Sequence, residues 1–323
     1  MRKVTDVPTA AKGDTSARPG SSITPRARTR RRLSILGAIA VASIATASVA
    51  WAGLSGLARY TASSSVSDSG SGSKSATVNC PKGKVLTGAG GEVTGGAKSD
   101  AGKLAIQRIV PADNLAGMVA RGVETGNQTA SNAWKVTGYA LCVTGTARMS
   151  GLVPVWGASK TDSLSPKLAT ATCPSGKSVI GAGGQIKAPV GTESRILLTS
   201  IWPSATKVEA GAQEIGGGTG NAWRIEAVAI CADTKSVPGV EISTGVYTGS
   251  APLTGAEGAK AFCKYGQHVT GGGFAINAKG KVALWWLLPV NTLEEVNVAA
   301  MEIGSGTTDT WTLHTAAICV PGA

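Results

Sequence analysis

Short segments of alternating apolar and polar residues run along the chain from about residue 57 to residue 323. In the segment WKVTGYALC, Val136 and Ala140 would face one side of a strand, and Lys135 and Tyr139 the other. β-Branched residues fill these segments, and Gly, Pro, Asn, Asp and Ser mark their ends. Because no segment shows a sustained helical stripe, the pattern predicts an all-β protein.

The first 90 residues of this pattern contain six candidate strands. A polar stretch, SSVSDSGSGSKS at 64–75, separates the first two and predicts a mobile loop. The candidate strands are 58–63, 76–80, 84–93, 104–110, 118–124 and 134–143.

The same pattern then recurs twice. Each copy opens with a cysteine that is followed eight positions later by a glycine: Cys80 and Gly88, Cys173 and Gly181, Cys263 and Gly271. Each copy closes with a tryptophan eight positions before a second cysteine: Trp134 and Cys142, Trp223 and Cys231, Trp311 and Cys319. Between these landmarks lie a block that ends in proline and a block that ends in Glu-x-Gly. The chain therefore contains three repeats, which we place at 53–145, 146–235 and 236–323.

Six cysteines, two in each repeat, favour one disulfide within each repeat: Cys80–Cys142, Cys173–Cys231 and Cys263–Cys319. The other connectivities that six cysteines allow stay open. The dispersed cysteines and the two histidines, His268 and His314, do not match the spacing of a zinc site, so we expect no metal and no cofactor. A disulfide requires Cα atoms within about 7 Å, so the two cysteine-bearing strands of a repeat should be neighbours.

The N-terminal 52 residues have the composition of an export signal. A basic stretch ending in RARTRRR precedes an uncharged apolar run that ends in Ala50-Trp51-Ala52. This pattern predicts a cleaved signal peptide over 1–52 and a secreted, extracellular protein that begins near Gly53. The alternative is an uncleaved membrane anchor over residues 33–58, which would be the chain's one contact with a membrane.

Removal of this segment changes the charge of the chain. Nine of the 31 Lys and Arg and two of the 19 Asp and Glu lie in residues 1–52, so the net charge falls from +12 to +5. No basic stripe with interleaved aromatic residues remains, and we expect no nucleic-acid partner.

Two architectures agree with three all-β repeats. They can share one body around a pseudo-threefold axis, as in a β-prism, or form three tandem β-sandwiches. The connectors are short, and neighbouring Trp285 and Trp286 would point to opposite faces of one strand, so a lone repeat would leave one ring uncovered. Both observations favour the shared, β-prism-like body.

The cysteine-glycine spacing carries a resemblance. Cys80-Pro81-x-Gly83 and Cys173-Pro174-x-Gly176, each with a glycine eight residues after the cysteine, resemble the repeat of vitelline membrane outer layer proteins. That resemblance implies a secreted protein with a threefold β-prism fold. Lys264 replaces the proline in the third repeat, and the units here are longer. The chain more closely resembles uncharacterised bacterial secreted cysteine-repeat proteins, and this second likeness implies export alone.

Catalytic motifs are weak in this sequence. The glycine runs GAGGEV, GAGGQI and GGGFAI match neither a phosphate loop nor a dinucleotide-binding motif, and they indicate bulges or close backbone contacts. No serine-hydrolase elbow is present, and no acidic pair recurs, so we expect no catalytic residues and no enzyme.

The best candidate binding residues are a glutamate, an Asn or Asp and a tryptophan that recur at the two ends of one predicted hairpin loop. A carboxylate, an amide and an aromatic face are suited to a sugar. We therefore predict a secreted binding or cell-surface protein without enzymatic activity, whose partner is a surface glycan or another extracellular protein. The alternatives are a structural coat protein and a secreted glycoside hydrolase; in another interpretation the three residues are a strand end, a turn and a core anchor. The candidate residues are Glu124, Asn132, Trp134, Glu214, Asn221, Trp223, Glu302, Asp309 and Trp311.

Overall fold

A computed structural model describes residues 54–66, 72–95, 100, 102–126, 128–144, 149–249 and 257–322. Within these residues the regular structure consists of β-strands and short 3-10 turns such as Glu193–Arg195. The all-β prediction is confirmed. The predicted signal peptide, 1–52, and Gly53 lie outside the described residues, and no helix among those described is long and apolar enough to cross a membrane.

Each repeat contributes six strands, as predicted. Those of the first repeat are β1 (Ala58–Ser63), β2 (Ser73–Asn79), β3 (Lys84–Gly95), β4 (Leu104–Pro111), β5 (Gly117–Glu124) and β6 (Trp134–Thr144). Those of the second are β7 (Val153–Ala158), β8 (Lys167–Thr172), β9 (Lys177–Lys187), β10 (Ile196–Pro203), β11 (Lys207–Glu214) and β12 (Arg224–Asp233). Those of the third are β13 (Glu241–Gly249), β14 (Glu257–Phe262), β15 (Gln267–Asn277), β16 (Val282–Pro289), β17 (Glu295–Glu302) and β18 (Trp311–Pro321).

The predicted loop at 64–75 is shorter than expected. Strand β2 begins at Ser73, inside the predicted loop, because Lys74 and Ala76 turn inward and are buried while Ser75 points to solvent. The remaining part of the prediction, at 67–71, lies outside the described residues.

The described strands form three six-stranded antiparallel sheets, and each sheet combines two repeats. Sheet 1 has the order β1-β6-β3-β16-β17-β14, sheet 2 the order β2-β5-β4-β9-β12-β7, and sheet 3 the order β13-β18-β15-β10-β11-β8. Three strands of one repeat thus continue into three strands of another, and the seams β3–β16, β4–β9 and β10–β15 are paired over two residue pairs each. The three repeats form one pseudo-threefold, β-prism-like body, which confirms the prediction over three tandem sandwiches.

Every repeat occupies one corner of the prism, where two sheets meet. Its disulfide crosses that corner, and the bridges are Cys80–Cys142, Cys173–Cys231 and Cys263–Cys319, as predicted. The first cysteine of each bridge directly follows β2, β8 or β14, and the second lies in β6, β12 or β18. The two strands next to each bridge are close in space, as expected, but they belong to different sheets and are not hydrogen-bonded to each other. The Cα–Cα distances of the bridged cysteines are 5.5–5.8 Å.

The repeated glycines lie where the three repeats contact one another. A Cβ added to Gly181 would lie 1.9 Å from the carbonyl oxygen of Thr87, and one added to Gly88 would lie 2.1 Å from that of Thr270. A β-bulge precedes Gly88 and Gly271, and a matching bulge lies at Gly181. The prediction of bulges and close backbone contacts is therefore confirmed, and the contacts join separate repeats.

The proline-ended strands form the seams between repeats. Gly90, Gly183 and Gly273 leave room for them; an added Cβ on Gly273 would lie 2.4 Å from Pro203 Cδ of the neighbouring repeat. In β16 a bulge separates Leu284 from Trp286, and Trp286 pairs with Glu92 of the first repeat. Contact with a neighbouring repeat was expected to cover one of the two tryptophan rings, but both rings are only half-buried.

The two ends of the prism differ. One, the disulfide end, carries the disulfides and the β4–β5 hairpin with its two counterparts. Both ends of the described chain lie there, because β1 starts beside Cys142 and β18 ends beside Gln267. The opposite, loop end carries the β3–β4 and β5–β6 loops and their counterparts.

Candidate functional site

The predicted Glu, Asn/Asp and Trp residues do come together at the loop end, but the tryptophans lie inside the protein. Trp134, Trp223 and Trp311 are 0–1% exposed. Their rings therefore present no accessible face to a sugar, which corrects the aromatic part of the prediction. Asn132, Asn221 and Asp309 are exposed at the loop.

The repeated glutamate holds the loop closed in all three repeats. Its carboxylate accepts a hydrogen bond from the backbone N–H of the residue four positions before the tryptophan. The pairs are Ala130 to Glu124 Oε1 at 3.0 Å, Thr219 to Glu214 Oε1 at 3.1 Å and Thr307 to Glu302 Oε2 at 3.0 Å. A carboxylate is a strong acceptor, and here it stabilises an otherwise irregular loop.

The environment of the tryptophan ring differs between repeats. Lys74 Nζ lies 4.4 Å from the ring centroid of Trp134, and Lys167 Nζ lies 4.9 Å from that of Trp223. In the third repeat the indole N–H of Trp311 donates to Glu302 Oε1 at 3.1 Å instead. All three arrangements stabilise the core side of the loop by cation–π or charge-assisted contacts.

A surface pocket on sheet 2 contains the chemical groups that a sugar site needs. It has a volume of about 370 Å³ and is lined by Asp113, Trp156, Gly157, Ala158, Gln185 and Glu226. Trp156 is 36% exposed, so part of its ring is accessible. The pocket crosses the β4–β9 seam, because Asp113 comes from the first repeat and the other residues from the second.

The polar side chains of this pocket are fixed by one another. Gln185 Nε2 donates to Glu226 Oε2 at 2.6 Å, while Arg224 Nε donates to Glu226 Oε1 at 2.8 Å. Gln185 is 4% exposed, and its Oε1 has no hydrogen-bond partner among the described residues. A buried, unpaired amide oxygen is costly unless a ligand or water donates to it.

A positive charge lies at the same seam. Arg108 of β4 pairs in register with Gln185 of β9. Burial, together with the positive charge of Arg121, lowers the pKa of Arg108, and the negative charge of Glu226 acts in the opposite direction. Among the described residues no cluster of three or more His, Cys, Asp or Glu could hold a metal ion.

The pocket has no counterpart in the other two repeats. The registers place Thr61 and Thr244 where Trp156 stands, and Glu92 and Ala275 where Gln185 stands. A search for residues shared by all three repeats therefore misses it. Each of the three corresponding edge strands carries an aromatic residue, but Tyr60 and Tyr247 stand at other register positions than Trp156, so only the structure singles out Trp156.

No protein-family profile matches this chain, and no curated protein sequence is significantly similar to it.

Proposed function

We propose that this protein is an exported binding protein without enzymatic activity that recognises a glycan through the Trp156 pocket. The carrying observation is the combination of an accessible indole ring with a buried, unpaired amide oxygen and carboxylates in one pocket. An aromatic ring packs against the C–H face of a sugar, and the oxygens accept hydrogen bonds from its hydroxyl groups.

The arrangement of the pocket supports recognition of neutral hydroxyl groups. Glu226 is already paired with Arg224, at 2.6 Å between Nη2 and Oε1, so its charge is largely compensated. Gln185 is held in place by Glu226, so the position of its amide group is fixed before a ligand binds. Preorganised polar groups lower the entropic cost of binding.

The disulfides support the proposed location. Three disulfides are typical of proteins that fold in an oxidising environment outside the cytoplasm. Export through the N-terminal segment would deliver the chain to such a compartment and place the pocket where cell-surface glycans occur.

A glycan array followed by calorimetry with the strongest glycan tests this proposal. Trp156→Ala should weaken binding about tenfold, because the ring contact is lost. Asp113→Ala should weaken it less, because Asp113 is exposed and water can replace its hydrogen bonds.

Trp202→Ala is the matched control, since Trp202 is a half-buried tryptophan that packs against His314 on sheet 3. Equal binding by wild type and Trp156→Ala would remove the pocket from the proposal. A protein that binds no glycan at high concentration would overturn the proposal and favour the coat protein.

A further inference from the structure

The three repeats enclose a second, larger cavity at the loop end of the prism. Its volume is about 570 Å³, within the range of about 300–1,000 Å³ that is usual for small-molecule sites. All three repeats line it: Thr125 belongs to the first, Ile215 to the second and Ile303 to the third. The cavity therefore exists only in the assembled body.

Three equivalent turns form the mouth of this cavity. Each begins directly after the repeated glutamate and contains a glycine with a left-handed backbone: Gly126 (φ 65°), Gly216 (φ 61°) and Gly304 (φ 63°). In each turn the carbonyl oxygen before the glycine accepts the N–H three residues later. The glutamate contacts described above fix these turns, so the mouth is preformed.

The wall of the cavity is basic. Arg195, Lys279 and Lys281 line it, against one carboxylate, that of Glu214. Glu214 Oε1 already accepts hydrogen bonds from the N–H and the hydroxyl group of Thr219. The wall thus carries an excess of positive charge.

Two of these cations are available to a ligand. Lys279 and Lys281 are exposed and have no ion-pair partner among the described residues. Arg195 is held in place, because its Nη1 donates to the carbonyl oxygen of Gly218 at 3.1 Å. Lys279 adopts a left-handed backbone conformation (φ 43°), which is uncommon for a lysine. Such uncommon backbone conformations cluster at functional sites.

The floor of the cavity is apolar. Ile303 is 7% exposed and Ile215 is half-buried, and both belong to a separate core cluster with Ala105, Leu197 and Ala283. Ala105, Leu197 and Ala283 occupy the same position in the three proline-ended strands. The cavity therefore presents apolar surface below and positive charge around it.

From this geometry we propose that the cavity binds a small organic anion, with its acidic group at Lys279 and Lys281 and its apolar part over Ile215 and Ile303. The acidic group can be a carboxylate or a phosphate ester, and both would be attracted by these cations. The cavity is distinct from the Trp156 pocket, so the proposal does not depend on the glycan.

Calorimetry with hexanoate, its neutral analogue hexanamide and inorganic phosphate tests the proposal on the full-length protein. Hexanoate should bind more tightly than hexanamide, and added salt should weaken its binding. Binding of hexanoate alone would identify a carboxylic acid as the natural type of ligand, and binding of phosphate alone a phosphate ester.

The double variant Lys279→Ala/Lys281→Ala should weaken binding of the anion at least about tenfold. Its matched control is Lys82→Ala/Lys235→Ala, which removes the same charge at the disulfide end and should change the affinity less than about twofold. The variant Trp156→Ala should bind the anion as wild type does, so failure of the glycan proposal would leave this result unchanged. The anion proposal is overturned if neither anion binds, if hexanamide binds as well as hexanoate, or if both double variants behave alike.

Discussion

Trp311 and Trp156 stand beside similar chemical groups but lie in opposite environments. Trp311 has a glutamate partner and an acidic loop residue nearby, yet its ring is 1% exposed and its N–H is bound to Glu302. Trp156 shares a pocket with Glu226 and Gln185, and its ring is 36% exposed. A tryptophan beside a glutamate and a further polar side chain therefore stabilises a core in one place and forms an open site in the other, and burial decides between the two roles.

This difference in burial also distinguishes residues that recur in all three repeats from residues that occur in one repeat only. The loop glutamates, the core tryptophans and the glycines at the contacts between repeats, which we call the axial glycines (Gly88, Gly181 and Gly271), recur three times and hold the prism together. Trp156, Gln185 and Glu226 occur once and lie at or near the surface. In a body built from three copies, repetition marks the requirements of the fold, and departures from repetition mark candidate sites.

The largest expected effect is the loss of a core tryptophan. Trp311→Ala should lower the free energy of unfolding by about 3–5 kcal/mol, because it leaves a cavity and removes the donor to Glu302 Oε1. Trp156→Ala should lower it by less than about 1 kcal/mol, because the ring is partly exposed. Urea unfolding of both variants measures the difference, and equal losses would contradict the comparison.

The axial glycines provide the next test. Gly181→Ala should destabilise the protein by about 3 kcal/mol, because its Cβ would overlap the backbone of the first repeat. Gly217→Ala is the control, since an added Cβ there meets no atom within 4 Å. Thermal unfolding of Gly181→Ala and Gly217→Ala measures this loss of stability. A Gly181→Ala variant as stable as the control would refute close packing at the axis.

The loop glutamate should have a smaller effect. Glu302→Ala removes the acceptor of Thr307 N–H and Trp311 Nε1, and should cost about 2 kcal/mol. Glu226→Ala should cost less, about 1 kcal/mol, because only one of its two partners, Gln185, is buried, while Arg224 lies at the surface. The denaturant midpoints of the two variants measure these losses of stability. A larger loss in Glu226→Ala than in Glu302→Ala would contradict the comparison.

Asp100 departs from this distinction between repeated, buried residues and unrepeated, surface residues. It occurs in one repeat only, yet it is 1% exposed. Burial alone would raise its pKa, but hydrogen bonds from Ser131, Asn132 and Lys103 outweigh burial and hold the pKa well below its usual range. Its contribution to stability is therefore full above about pH 4 and is lost as the pH falls.

At neutral pH, Asp100→Asn should lower the free energy of unfolding by about 1 kcal/mol, because a neutral amide is a poorer acceptor than a carboxylate. The difference in the free energy of unfolding between variant and wild type should become smaller below about pH 4. Unfolding curves recorded from pH 7 downward measure it, and a gap that stays constant would show that the charge of Asp100 is irrelevant.

The sequence was sufficient to predict the repeats, the strands and the disulfides, because these depend on local alternation and on spacing along the chain. It could not place Trp134 or its counterparts, since an aromatic residue at a strand start packs inward or outward according to which sheet covers it. It also missed the surface pocket, because Asp113 and Trp156 meet only where β4 pairs with β9. A seam between two repeats leaves no local signal in either.

The described body begins at residue 54 and ends at residue 322, both at the disulfide end, and this has a consequence for the order of the repeats. At this same end, the last strand of one repeat stops and the first strand of the next begins: β6 ends at Thr144 and β7 begins at Val153, and β12 ends at Asp233 and β13 begins at Glu241. By the pseudo-threefold symmetry, a linker of similar length would join the present ends. A circularly permuted chain, opened at either connector and closed through such a linker, should therefore form the same three sheets, because no strand of the prism depends on which repeat is synthesised first.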